Sequence, residues 1–346
     1  MNKISIKWIA LFVVVVLIVA AFFLLFLIGD TENEKYSETS FDMGTVIRLD
    51  VCVDKANENI IDEVYDAVLN RIEDISIKMS SFDKNSDIYN INNSNLKPVV
   101  VSGDTFYLIK NSIRFSQLTD GAFDITVGPL IKLWKKSEKQ GIAPIEENLK
   151  DVLRYVGYEN IKTLVNNNLK LLKRSTSIDL GAIAKGYAVD EAARIFREHG
   201  INNFLIDAGG DIYAGGLNCD GELWKVGIRD PRNGLEIIDI VEISDMAITT
   251  SGDYEQFYEI DGKKFSHIIN PKTGYPEQEI ISATVIAPKA KDADVFSTAL
   301  CVLGKRRGAD LIDSLGVGYA SFIIEQSEDG LDMSESVQYK NFKAKN

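Results

Sequence analysis

Two histidines occur in 346 residues, and only one stands where it could do chemistry. His199 precedes Gly200 at the end of a helical pattern, where an imidazole serves as a cap or a cation beside the last carbonyls. His267 ends an apolar strand, with Ser266 beside it and an Asn270-Pro271 turn just beyond. Its ordinary pKa of about 6.5 suits a general base that takes a proton from a hydroxyl, with a purely structural histidine as the alternative. Asp294 and Thr298 are four residues apart, so a helix would project both from one face. A carboxylate and a hydroxyl are the hard oxygen donors that Mg2+ takes, alongside waters and substrate phosphate oxygens. Taken alone, an ordinary helix start with an exposed threonine explains the pair as well.

Four further segments carry more polar and glycine residues than packing requires. In Ser177–Tyr187 a short strand delivers Asp179 and Gly181 to the start of a long helix, and Lys185 lies one turn in. The free N–H groups and positive dipole of a helix start form an anion site, and the lysine could reach a phosphate oxygen. GxxxxGK[ST] is absent, so this is no Walker loop, and simple capping is the rival reading. Asp120–Leu130 holds Ala122, Phe123 and Asp124 directly after a helix, and a turn accounts for its glycines but not for Phe123–Thr126. The paired glycines of Asp207–Asp211 allow close backbone approach to a ligand, or an ordinary tight turn. Met43-Gly44-Thr45, at the start of a strand, is a weak signal by itself.

The elements that must position these residues follow from periodicity. Ile47, Leu49, Val51 and Val53 alternate with polar neighbours, as in a half-buried strand. Apolar residues from Ile61 to Ile75 repeat with a helical period behind an Asn57 cap. Further helices are expected at 104–118, 149–156, 182–198 and near 293–303. Asn166 and Asn167 turn a hairpin between 161–165 and 169–173, since asparagine tolerates positive φ. Short strands are expected at 203–207, 211–214, 223–228, 236–243, 281–287 and 319–324. The pattern is α+β, with helices covering largely antiparallel sheets.

Composition narrows the function classes. The chain carries 38 Lys and Arg against 51 Asp and Glu, a formal net charge of −13. That excess argues against a nucleic-acid partner, whose phosphates need basic residues. A phosphate ligand therefore needs a local cation. Cys52, Cys219 and Cys301 stand far apart without a CxxC, which reads as neither a disulfide framework nor a zinc site. Trp8–Ile28 is a run of 21 residues without a charge, long enough to span a bilayer. Lys3 and Lys7 before it and acidic residues after it put the N-terminus in the cytoplasm and the rest outside. No A-x-A follows Ile28, so an uncleaved single-pass anchor is expected rather than a signal peptide. The expected organisation is an anchor at 1–29, a polar tether at 30–39 and a catalytic domain at 40–346.

In order along the chain, Met43–Thr45, Asp120–Leu130, Ile178–Asp190, Asp207–Asp211, Thr249–Gln256, His267–Pro276 and Ala293–Leu300 resemble the motifs of the FAD:protein FMN transferases, the ApbE-like flavin transferases. The resemblance runs from about Phe41 to Gly304. It implies Mg2+-dependent transfer of the FMN moiety of FAD to a Ser or Thr hydroxyl of a target protein, with release of AMP. Targets would carry an FMN-binding domain in extracytoplasmic electron-transfer systems. By the same resemblance, Met43, Ala122, Phe123, Asp124, Asp179, Lys185 and Ile268 would bind FAD. Phe82 stands where relatives often have tyrosine, which keeps the aromatic face and loses the hydroxyl. The Ala182 carbonyl, Asp294 and Thr298 would hold the metal, and His267 would be the base. Many bacterial relatives are lipoproteins with a cysteine after the apolar stretch. Here the first is Cys52, so Trp8–Ile28 takes over the anchoring. Hydrolysis of FAD to FMN and AMP needs the same residues, and a non-catalytic flavin binder would need neither His267 nor the Asp294/Thr298 pair.

Overall fold

A computed structural model describes residues 33–234, 236–327 and 330–345, together with Val15. Its centre is an eight-stranded sheet in the order β1-β2-β6-β7-β10-β13-β14-β15. These are Asn33–Asp42 (β1), Thr45–Asp54 (β2), Phe204–Ala208 (β6), Asp211–Gly215 (β7), Met246–Gly252 (β10), Ile280–Ala287 (β13), Ala320–Ser327 (β14) and Gly330–Glu335 (β15). Every neighbouring pair runs antiparallel. The mixed α+β character expected from the sequence is present.

Three helices cover one face: Ile61–Met79 (α1), Ala184–Glu198 (α6) and Ala290–Leu315 (α7). Between them and the sheet lies the main core, built on Ile47, Leu49 and Val51 of β2, Val68 and Ile72 of α1, Phe196 of α6 and Phe296 of α7. The opposite face is covered by a hairpin of Trp224–Arg229 (β8) and Ile237–Ile243 (β9), with Trp224, Val226 and Val241 packed on Ile248, Ile281 and Phe322. β13, covered on both sides, is buried at every position. The remaining helices are Asp87–Asn92 (α2), Gly103–Leu118 (α3), Gly128–Gln140 (α4) and Glu146–Leu153 (α5). Val99–Val100 (β3), Ile161–Thr163 (β4) and Asn168–Leu171 (β5) make a small sheet, and Phe257–Ile260 (β11) pairs with Lys263–Ser266 (β12). A third apolar cluster joins Leu130 and Trp134 of α4 to Leu149 of α5 and Tyr258 of β11, and these elements form a separate lobe.

Several expectations need correction. Residues 33–39, expected in a tether, pair with β2 over the whole of β1; both faces of this edge strand stay largely exposed, so no alternation marked it. The helix expected behind an Asn57 cap starts as a 3-10 turn over Lys55–Ile60 and becomes α-helical at Ile61. The helix near 293–303 extends to Leu315, across a break at Gly304 (φ 75°). α4 was not foreseen: Gly128-Pro129 looks like a turn but sits in its first turn, where proline's missing N–H costs nothing. Cys52 and Cys219, separated by 167 residues, form a disulfide with Cα atoms 5.1 Å apart, against the expectation of none. Cys301 is free and buried. The Trp8–Ile28 segment lies outside the described residues apart from Val15, and among the described residues no helix is long and apolar enough to cross a membrane.

Candidate active site

Between the helical layer, the start of β7 and the α4/β11 lobe opens a cleft of about 1290 Å³. All twelve candidate residues line it: Met43, Phe82, Ala122, Phe123, Asp124, Asp179, Ala182, Lys185, His267, Ile268, Asp294 and Thr298. That volume exceeds the roughly 300–1,000 Å³ of drug-sized pockets and suits a dinucleotide.

Each residue arrives by a local rule. Met43 and Gly44 form the two-residue turn joining β1 to β2, both at positive φ (49° and 76°), as a tight hairpin turn requires. The Ala122–Asp124 loop is pinned from beneath: Asp124 Oδ1 accepts from Thr126 N–H (2.8 Å) and Thr126 Oγ1–H (2.6 Å), and Oδ2 accepts from Tyr158 N–H (2.8 Å). Burial raises the pKa of Asp124 despite these bonds. Its carboxylate is thus spent on shaping the loop. Phe123 is buried edge-on against Phe115. Phe82, by contrast, is 77% exposed at the rim, with Lys135 Nζ over its ring at 5.2 Å. Asp179 folds back on Gly181 N–H (2.9 Å) just ahead of α6, and Ile268 is buried behind His267.

The polar centre sits where α6, α7, β7 and β10 meet. Asp294 is 3% exposed and accepts from Gly186 N–H at 3.0 Å. Gly186 lies in the first turn of α6, whose N–H groups have no partner within the helix, and Asp294 supplies one. Lys185 ion-pairs with Asp211, the residue that opens β7. It is therefore held toward the sheet, at the start of β7. Burial works against the charge on Lys185, but Asp211 and Asp294 outweigh it and hold the pKa above lysine's usual range. Burial first, then Asp211, drives the pKa of Asp294 well up. Thr298 Oγ1 lies 3.3 Å from Ser251 Oγ on β10.

His267 is half-buried, and its Nδ1 lies 2.9 Å from the Gln256 carbonyl. A carbonyl can only accept, so Nδ1 carries the proton and Nε2 keeps its lone pair. Burial, with Lys185 nearby, lowers the pKa of His267, so the ring is neutral and basic near neutrality.

Sequence reasoning passed over three residues here. Asp211 is 1% exposed and one of its oxygens, Oδ1, has no partner. Thr249 stands directly across the β7–β10 ladder, and its buried Oγ1 is unpartnered too. Glu255, beside the cleft, has its pKa pushed up to about 7 by desolvation, with Lys185 pulling it down and Asp211 pushing it further up. The Asp207–Asp211 and Thr249–Gln256 motifs pointed to the right segments without saying which side chain turned inward.

Two buried carboxyl groups, Asp211 and Asp294, face one lysine, and their crowding is what raises the pKa of Asp294 beyond the effect of burial. Among the described residues no three His, Cys, Asp or Glu side chains are gathered as a ligand set. A metal here would have to draw on mixed oxygens, and one carboxylate, one hydroxyl and one carbonyl with substrate oxygens are the donors Mg2+ accepts.

A lysine and a helix start set opposite an uncommitted imidazole are suited to moving a phosphorus-bound group, which defines a phosphoryl-type transferase. Comparison with known proteins is specific. The ApbE family model matches residues 43–322, and the chain belongs to the ApbE family. It is 34% identical over 279 residues to the FAD:protein FMN transferase of Vibrio cholerae serotype O1, covering 79% of this chain and 83% of that protein. Among solved structures, the ApbE protein of Thermotoga maritima superposes with a TM-score of 0.81 at 33% identity, over 90% of this chain and all of the other. The flavin transferase ApbE of Vibrio cholerae gives 0.79 at 31% identity, over 90% of this chain and 99% of its own.

Proposed function

We infer that this chain transfers the FMN moiety of FAD to a Ser or Thr hydroxyl of a target protein and releases AMP. The observation that carries the reading is the convergence, in one dinucleotide-sized cleft, of an imidazole with a free Nε2, a helix start with its lysine, and a set of hard oxygens. The flavin end of FAD rests against Met43, the Ala122–Asp124 loop and the rim ring of Phe82, and the pyrophosphate lies toward Lys185 and the N-terminus of α6. The target hydroxyl gives its proton to His267 Nε2 as its oxygen bonds to the phosphorus on the FMN side. The bond from that phosphorus to the bridging oxygen breaks, and AMP leaves with that oxygen. Mg2+, held by Asp294, Thr298 and the Ala182 carbonyl, would supply charge neutralisation at the phosphate oxygens.

Trp8–Ile28 anchors the chain in the cell membrane with the N-terminus cytoplasmic and the catalytic part outside. The charge flanks support this, as does the Cys52–Cys219 disulfide, a bond that persists in oxidising compartments. Targets are then extracytoplasmic electron-transfer proteins with an FMN-binding domain. The test is to incubate the full chain in detergent with FAD, Mg2+ and such a domain. Flavin fluorescence that stays with the denatured target, and is lost in His267→Ala, supports transfer. Free FMN and AMP without labelled target would make the protein an FAD hydrolase instead.

A further inference from the structure

α6 and α7 cap each other. Asp294 of α7 accepts from Gly186 N–H in the first turn of α6 (3.0 Å). Asp190, one turn further along α6, accepts from Ala290 N–H (2.8 Å) and Lys291 N–H (3.3 Å) in the first turn of α7. α7 has no side-chain cap of its own, because its N-cap residue is Lys289. The two helices also touch backbone to backbone: a Cβ on Gly186 would lie 2.5 Å from the Ala290 carbonyl oxygen. The register between them is thus fixed by two carboxylates, one donated in each direction. Only one of the two, Asp294, reaches the cleft. Asp190 lies on the far side of the clasp, beside Arg194 and Lys289, and touches no cleft residue's side chain in these contacts.

We propose that Asp190 is a positioning residue for the metal-binding oxygens, setting the height of α7 on α6 so that Asp294 can hold Gly186 with one oxygen and a divalent cation with the other. The argument is geometric. Asp294 and Thr298 lie on the first turns of α7, and the Ala182 carbonyl lies just ahead of α6. Two donors therefore sit on α7 and the third immediately precedes α6, and they come into register only if the helix starts do. Releasing Ala290 and Lys291 lets the first turn of α7 fray or slide. The Gly186–Asp294 bond, which ties the start of α6 to α7 beside the Ala182 carbonyl, goes with it. The proposal rests on the metal reading above.

The experiment compares wild type with Asp190→Asn and Asp190→Glu as full chains in detergent. Asparagine keeps the size but turns an N–H toward one of the two amides, so it can satisfy only one of them. Mn2+ binding is read by the loss of free-ion signal in electron paramagnetic resonance, and FAD binding without metal by flavin fluorescence. Expected for Asp190→Asn is a tenfold or greater weakening of Mn2+, with metal-free FAD affinity within twofold. Asp190→Glu, which restores two acceptors, should recover part of the loss. Equal Mn2+ affinity in wild type and Asp190→Asn overturns the proposal, as does a parallel loss of metal and metal-free FAD binding. If wild type takes up no Mn2+, the metal reading itself falls and takes this one with it. Should the variants fail to fold, amide hydrogen exchange on wild type decides: saturating Mn2+ must slow exchange at Ala290 and Lys291, since a site coupled to the clasp stabilises it in return. Unchanged exchange there overturns the proposal.

Discussion

Gly186→Ala sets two physical effects against each other, and the sign of the result discriminates. Alanine is more favourable than glycine in a helix by up to roughly 0.8–1.0 kcal/mol, the upper value applying to the interior rather than the first turn, so where space is free the variant gains stability. Here a Cβ meets the Ala290 carbonyl oxygen at 2.5 Å and carbon, and the Lys291 Cα, at 2.7 Å. A close C···O contact is about 3.3 Å, so α7 must retreat by roughly 0.8 Å. All three atoms are backbone, so no rotamer change can relieve them. Overpacking of this kind costs about 1–3 kcal/mol, and a clash with main chain belongs near the upper end. The net expectation is a loss of about 2 kcal/mol after the propensity gain. At about 2–4 °C per kcal/mol for a domain of this size, the melting temperature falls by about 4–8 °C. The same retreat displaces Asp294 and Thr298 from the start of α6. A misplacement near 1 Å costs about 10²-fold in rate, so kcat/KM for AMP release should fall by about one to two orders of magnitude. Thermal unfolding by circular dichroism and an AMP-release assay measure both. A variant as stable as wild type, or more stable, refutes the close approach of the two helices.

The lowered pKa of His267 fixes the acid limb of catalysis: the base works unprotonated, so kcat/KM should be flat through pH 7–8 and fall with unit slope only below about 6.5. A limb that falls from pH 7.5 downward would assign the step to another group. Replacing Cys52 and Cys219 together by alanine removes a cross-link over 167 residues, for which stability should drop by about 2–5 kcal/mol in chemical denaturation. Reductant should lower wild type to the level of the variant and leave the variant unmoved. Asp124→Asn presents an N–H where an acceptor is needed by either Tyr158 or Thr126, and a loss of about 1–3 kcal/mol is expected, measured in the same titration.

The site was more legible in the sequence than the frame that carries it. Asp294 and Thr298, Asp179 and Lys185, and His267 stood out because polar residues interrupt segments otherwise written for packing, and all of them line the cleft. What escaped was partnership. Nothing in the spacing of Lys185 and Asp211 says that they pair, because the rest of α6 and the whole of β6 lie between them in the chain and only the fold brings them together. Elements followed the same division. The Asn166-Asn167 hairpin and the end of α6 at His199-Gly200 were readable because backbone conformation names their residues: both asparagines and Gly200 have positive φ. β1 was hidden because an edge strand with both faces open needs no alternation, and α4 because its lysines disguise the stripe of Leu130, Trp134 and Ser137. The disulfide was hidden by its span.

The order of strands in the main sheet has a consequence for how the chain comes to be folded. β2 takes its second neighbour from residues 204–208, and β13 pairs on to β14 at 320–327. As the chain emerges from its N-terminus, the β1–β2 hairpin waits through more than a hundred residues with one edge open and only α1 to cover its apolar face. Pairings of such long range form slowly, and open edges invite association with other chains in the interval. An N-terminus tethered to a surface would hold that waiting hairpin apart from its copies while the second half of the sheet arrives.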